Sequence, residues 1–111
     1  MTRSSVIAAL RKLAVSLGSV ASGTEWHLFG SLNRGCPDAS DIDLMIFCEN
    51  DIQADLLRLA IDTDSLSLPL HLSLLTFEEA TSINAAALQH STVVLRVPPR
   101  TCPKTISRTD A

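Results

Sequence analysis

Two stretches of this chain alternate apolar and polar residues with a period of two, and no other feature narrows its fold as much. In residues 41–48, Ile42, Leu44, Ile46 and Cys48 alternate with Asp41, Asp43, Met45 and Phe47. Successive side chains of a strand point to opposite faces, so one face here is wholly apolar and the other carries two carboxylates. In residues 66–75, Leu66, Leu68, Leu70, Leu72 and Leu74 share one side, with Ser67, Pro69, His71, Ser73 and Leu75 on the other. Pro69 has no N–H for a ladder and marks an edge strand or a strand start. The apolar faces need a cover, and 111 residues, 46% of them hydrophobic, suffice for one domain with one core.

Helix-period segments supply that cover. From an N-cap at Ser4 or Ser5, Val6, Leu10, Leu13, Leu17 and Val20 recur at steps of four and three, predicting an amphipathic helix that closes between Gly18 and Gly23. Residues 25–29, with Trp26, Leu28 and Phe29 between Gly23 and Gly30, read as a short buried strand, and residues 31–40 as a loop. Asn50 and Gln53 resemble a capping box opening a helix to about Ile61, with Ile52, Leu56 and Leu59 or Ala60 inward and residues 62–64 as its stop. Thr76 and Glu79 form a second capping box, for a helix carrying Ala80, Ile83 and Ala87. Residues 91–97 predict a last short strand. The expected class is α/β, a small mixed sheet covered by helices, over residues 1–97, followed by a mobile, basic, Pro-containing tail over 98–111.

Nine Lys and Arg against twelve Asp and Glu give a net charge of -3, which argues against a dedicated nucleic-acid binder. Eight carboxylates fall in residues 38–64 against one cation, Arg58, a density that both a solvated surface and a metal site tolerate. Cys36, Cys48 and Cys102 show no C-x-x-C spacing and suit a reducing cytoplasm. Arg11 and Lys12 interrupt the longest early apolar stretch, so no membrane span is expected; residues 1–23 only weakly imitate a signal or transit peptide.

The chemistry concentrates in residues 29–46, FGSLNRGCPDASDIDLMI. A strand ends at Gly30-Ser31, where a residue without a Cβ permits close backbone approach and a hydroxyl stands beside free amides, a combination suited to a phosphate. Ten residues later, Asp41-x-Asp43 puts two carboxylates on one strand face, where both can share a hard divalent cation. The stretch resembles the nucleotidyltransferase superfamily related to DNA polymerase beta, whose pattern is G-S followed by a D-x-D strand. The spacing G-S-x-x-x-G, ending at Gly35, and the run Ser40-Asp41-Ile42-Asp43-Leu44 are similar to its minimal nucleotidyltransferase subgroup.

The resemblance implies metal-dependent transfer of a nucleoside monophosphate, AMP from ATP in the first instance, to a protein or small-molecule acceptor. Gly30 and Ser31 then cradle the outgoing phosphates, and Asp41 and Asp43 hold magnesium, with manganese the alternative. Arg34 either approaches the triphosphate or is a solvated loop arginine. Chains this short in the family lack a helical substrate-binding domain, so the acceptor is shared with a partner or a second copy. One such setting is the antitoxin of a toxin–antitoxin pair that modifies a helical HEPN-type toxin.

The family normally adds a third metal-binding carboxylate on the following strand, and here that position holds His71. Three readings stand open: His71 acts as a base or soft ligand; activity is lost and the domain works by binding nucleotide or partner; or Glu78 or Glu79 substitutes. His27 is expected to be structural, His90 to sit near a helix end, and Cys36 to lack the base that a thiol nucleophile needs.

Overall fold

The computed structural model describes residues 2–36, 38–64, 66 and 68–99. The tail from Arg100 onward, with Cys102, lies outside the described residues. Four strands form one sheet: β1 (Glu25–Phe29), β2 (Ile42–Cys48), β3 (Leu70–Thr76) and β4 (Thr92–Arg96). Their order is β3-β2-β1-β4, antiparallel across β1–β2 and β1–β4 and parallel across β2–β3. A parallel pair needs a crossover, which α3 (Asp51–Ala60) provides.

The period-two pattern accounts for the layers. Ile42, Leu44, Ile46 and Cys48 are buried with Trp26 and Leu28 against Val6 and Leu10 of α1 (Arg3–Leu17) and Leu57 of α3. The opposite face packs Met45 and Phe47 against Ala80 of α4 (Phe77–Ser82) and Ala85 of α5 (Ala85–Leu88). That cover stops short of Asp41 and Asp43, which are only partly buried.

Several sequence expectations are corrected. Thr2, not Ser4 or Ser5, caps α1; Ser5 is the reciprocal partner, its amide donating to Thr2 Oγ1 at 3.1 Å. Arg11 and Lys12 lie on the exposed side without interrupting the run Arg3–Ala21, which is long and apolar enough by length and composition to cross a membrane. Here its Val6, Leu10, Ala14 and Ala21 pack into the core.

Helix α3 starts at Asn50 as expected but is rotated: Ile52 and Leu59 are 72% and 85% exposed, whereas Ala54, Leu57 and Ile61 face inward. The helix carries two apolar stripes, and the amide of Gln53 decides between them by donating to the carbonyls of Val20 and Ser22 at 3.0 and 2.7 Å. The helix expected after Thr76 is broken at Asn84, whose φ of 53° is left-handed; Ala85 rather than Ala87 then meets the core, and Ile83 is exposed. Strand β3 is shorter than expected, beginning after Pro69, although Leu66 and Leu68 still pack against the core. Ser65 and Ser67 lie outside the described residues.

Candidate functional site

Three segments distant in sequence meet at one end of the sheet. The β1–β2 ladder pairs Phe29 with Asp43, and the parallel β2–β3 ladder pairs Asp43 with His71. The amide of Ile42 donates to the carbonyl of Pro69 at 2.9 Å, tying the two strand starts together beside Asp41. His71 therefore faces both aspartates: Nε2 lies 3.7 Å from Asp41 Oδ2 and Nδ1 lies 3.7 Å from Asp43 Oδ1. One ligand atom from each of the three residues falls within 4.8 Å of the others, and this donor set of two carboxylates and an imidazole fits a divalent cation.

The Gly30-Ser31 turn closes on the same carboxylates. Residues 31–33, expected as loop, wind with Gly30 into the short helix α2 (Gly30–Asn33), anchored by buried Leu32. Gly30 has φ +77°, and a Cβ there would collide with Asp43 Oδ2, so both backbone conformation and space require glycine. Ser31 is half-buried in the first turn of α2, and its carbonyl accepts from Cys36 N at 3.1 Å. Arg34 is exposed at the end of α2, and its charge reaches Asp43.

Burial pushes the Asp43 carboxyl above its usual range and neighbouring Asp41 pushes it further, while His71 and Arg34 pull it only partly back. An added cation relieves both causes of that rise.

Sequence reasoning missed Asn33 and Arg3. Asn33 Oδ1 accepts from Arg3 Nε at 3.1 Å, and Asn33 Nδ2 donates to Thr92 Oγ1 at 3.2 Å. The amide thus fastens α2 to the start of α1 and of β4. No local pattern announces a bond between residues so far apart in the chain.

The remaining candidates fall outside this cluster. Glu79 accepts from Thr76 N at 2.9 Å as a capping residue, and Thr76 pairs with Cys48 at the opposite end of β2, so Glu78 and Glu79 are at the wrong end of the sheet to join Asp43. His27 is structural as expected, 3% exposed, with Nε2 2.7 Å from Glu25 Oε1 and Nδ1 2.9 Å from Ser91 Oγ. His90 is exposed just beyond α5. Cys36 is free and half-buried; Cys48 is free and buried, its thiol pushed up to about 11 by burial.

A mixed sheet whose first strand ends in Gly-Ser against a D-x-D strand defines a nucleotidyltransferase fold. The family model of the nucleotidyltransferase domain matches residues 8–94, and the chain belongs to that family. No curated relative matches the chain.

Proposed function

We propose that the protein transfers a nucleoside monophosphate, AMP from ATP first among the donors, to a protein or small-molecule acceptor, with pyrophosphate leaving. The observation that carries this reading is the closure of the Gly30-Ser31 turn onto Asp43, where only a residue without a Cβ fits. Phosphates received by the backbone at Gly30 and Ser31 lie beside the carboxylates that hold a divalent cation, magnesium or manganese. Asp41 and Asp43 are its ligands, with His71 the third member of the cluster. A cation bound there supplies positive charge to phosphate oxygens as negative charge builds on them. Arg34 adds a second positive charge at the mouth of the site.

The working unit is residues 1–97, with 98–111 as a basic extension, in a cytoplasmic setting. The acceptor is held jointly with a partner, a helical HEPN-type toxin or a second copy of this chain, and the net charge of -3 disfavours a nucleic-acid acceptor.

A second reading, a noncatalytic domain that binds nucleotide or partner, is favoured by His71, which brings no negative charge to the position of the third carboxylate. Isothermal titration with a nonhydrolysable ATP analogue, with and without Mg2+ or Mn2+, separates the two. Metal-dependent binding that disappears in Asp41→Asn/Asp43→Asn, followed by transfer of label from α-labelled ATP, supports the enzyme. No binding to the folded wild type supports the noncatalytic domain.

A further inference from the structure

We propose that Asp41, Asp43 and His71 form a cation site in which His71 is a metal ligand, selecting imidazole-binding transition ions, Mn2+ and Zn2+, over Mg2+. This deepens the nucleotidyl-transfer reading and rests on it for the use of the ion, while the binding preference is a property of the three side chains.

His71 brings a third donor atom to the two carboxylates. Its ring lies between the two carboxylates, 3.7 Å from an oxygen of each, beyond hydrogen-bond range. Among the described residues these aspartates are its only polar partners. Two donors about 2.1 Å from one ion stand roughly 3 Å apart at an octahedral angle and ~3.4 Å apart at a tetrahedral one. Small side-chain rotations therefore bring the cluster onto a common ion, and the ladder pairing Asp43 with His71 keeps the backbones in place meanwhile. The His71 side chain is 62% exposed, which leaves coordination positions open to water or a phosphate oxygen.

The chemistry of the donors sets the preference. Mg2+ is small and hard, takes oxygen ligands and gives up water reluctantly, so an imidazole in place of a carboxylate weakens its hold twice: the donor is softer and one negative charge is missing. Ions that accept nitrogen ligands lose the charge but gain the imidazole bond. His27 shows what a histidine with a structural task looks like in this protein: buried, with both ring nitrogens engaged at 2.7 and 2.9 Å. His71 has none of those features.

The test is titration of the full chain with Mn2+, Zn2+ and Mg2+ as the metals alone, for wild type, His71→Ala and His71→Asp, each shown folded by its melting curve. We expect wild type to bind Mn2+ at least about tenfold more tightly than Mg2+. His71→Ala collapses that ratio, and His71→Asp shifts it toward Mg2+. On addition of Zn2+, the imidazole 15N resonances of His71 move and those of His27 do not. Equal affinity for Mn2+ and Mg2+ in wild type, an unchanged ratio in His71→Ala, or a still His71 resonance overturns the proposal. Selective binding without nucleotidyl transfer instead sinks only the functional reading, and Mg2+-supported transfer unaltered by His71→Ala sinks only the ion preference.

Discussion

One face of the sheet carries a carboxylate–histidine pair at each end, and the two ends are finished in opposite ways. At the β1 start, Glu25 has 24% of its side chain exposed and meets His27 at 2.7 Å and Arg96 at 3.1 Å. Burial alone raises its carboxyl, but hydrogen bonds from His27 and Arg96 outweigh burial and hold it below its ordinary 4.5. His27 in turn stacks on Phe47 with ring centroids 4.2 Å apart, and Phe77 meets Phe47 edge-on. At the β2 start, Asp43 is 23% exposed, yet its carboxyl is raised, because burial and Asp41 are not offset by a histidine 3.7 Å away. Similar exposure with opposite shifts separates a satisfied ion pair, which holds strands together, from an unsatisfied one, in which a like charge stands beside the carboxylate.

The largest effect expected from breaking this contrast is at the unsatisfied end. Asp43→Asn should lower label transfer from α-labelled ATP by at least about 100-fold, the scale of losing a transition-state electrostatic contact. Its melting temperature should hold or rise, since the substitution removes a charge that neighbouring Asp41 opposes. A raised carboxyl costs folding stability as pH climbs from 3.8 through its folded value, so the gain over wild type appears only above that window. A fall in melting temperature at neutral pH would mean that Asp43 is structural.

Gly30→Ala should disturb both properties, because the alanine meets a left-handed φ and the Asp43 carboxylate together. A loss of ~2 kcal/mol, roughly 10 °C in Tm, is expected with weakened Mn2+ binding. Unchanged binding in this variant would detach the turn from the site.

Glu25→Gln supplies the mirror image of Asp43→Asn: about 1–2 kcal/mol less stable in urea melts at neutral pH, with transfer unaffected. The lowered carboxyl contributes stability that is complete above 4.5 and vanishes as pH falls through its folded value, so variant and wild type should converge in acid. A pH-independent gap would assign the loss to packing instead of charge. The smallest effect is expected from Asn33→Ala, which frees α2 from Arg3 and Thr92. The KM for nucleotide should rise several-fold, about 1 kcal/mol, with kcat little changed. An equal drop in kcat and kcat/KM would place Asn33 in the chemistry itself.

Much of this was legible along the chain, and where legibility ended is informative. The two alternating segments became the central and edge strands, the Thr76–Glu79 capping box formed, Asn50 capped α3 although the Gln53 side chain took the amide of Glu49 in place of that of Asn50, and Gly30-Ser31 and Asp41-x-Asp43 came together. The inward face of α3 was misread because Ile52, Leu56 and Leu59 form as good an apolar stripe as Ala54, Leu57 and Ile61, and periodicity cannot rank two stripes. The break at Asn84 was missed because asparagine is tolerated both in a helix and in the left-handed region, and core contact made the choice.

By itself the sequence determined which residues share a strand face and where α3 and α4 begin, because these depend on neighbours a few residues away. Tertiary structure alone decided that His71 stands opposite Asp43, that a Cβ at Gly30 would meet Asp43, that His27 is buried with both ring nitrogens hydrogen-bonded while His71 is exposed, and that Asn33 fastens the Gly30-Ser31 turn. Those outcomes follow from how backbone ladders align distant strands, and ladder hydrogen bonds are the same for every sequence. One register among the many that the backbone permits is selected by which residues must face the core and by the connections between strands.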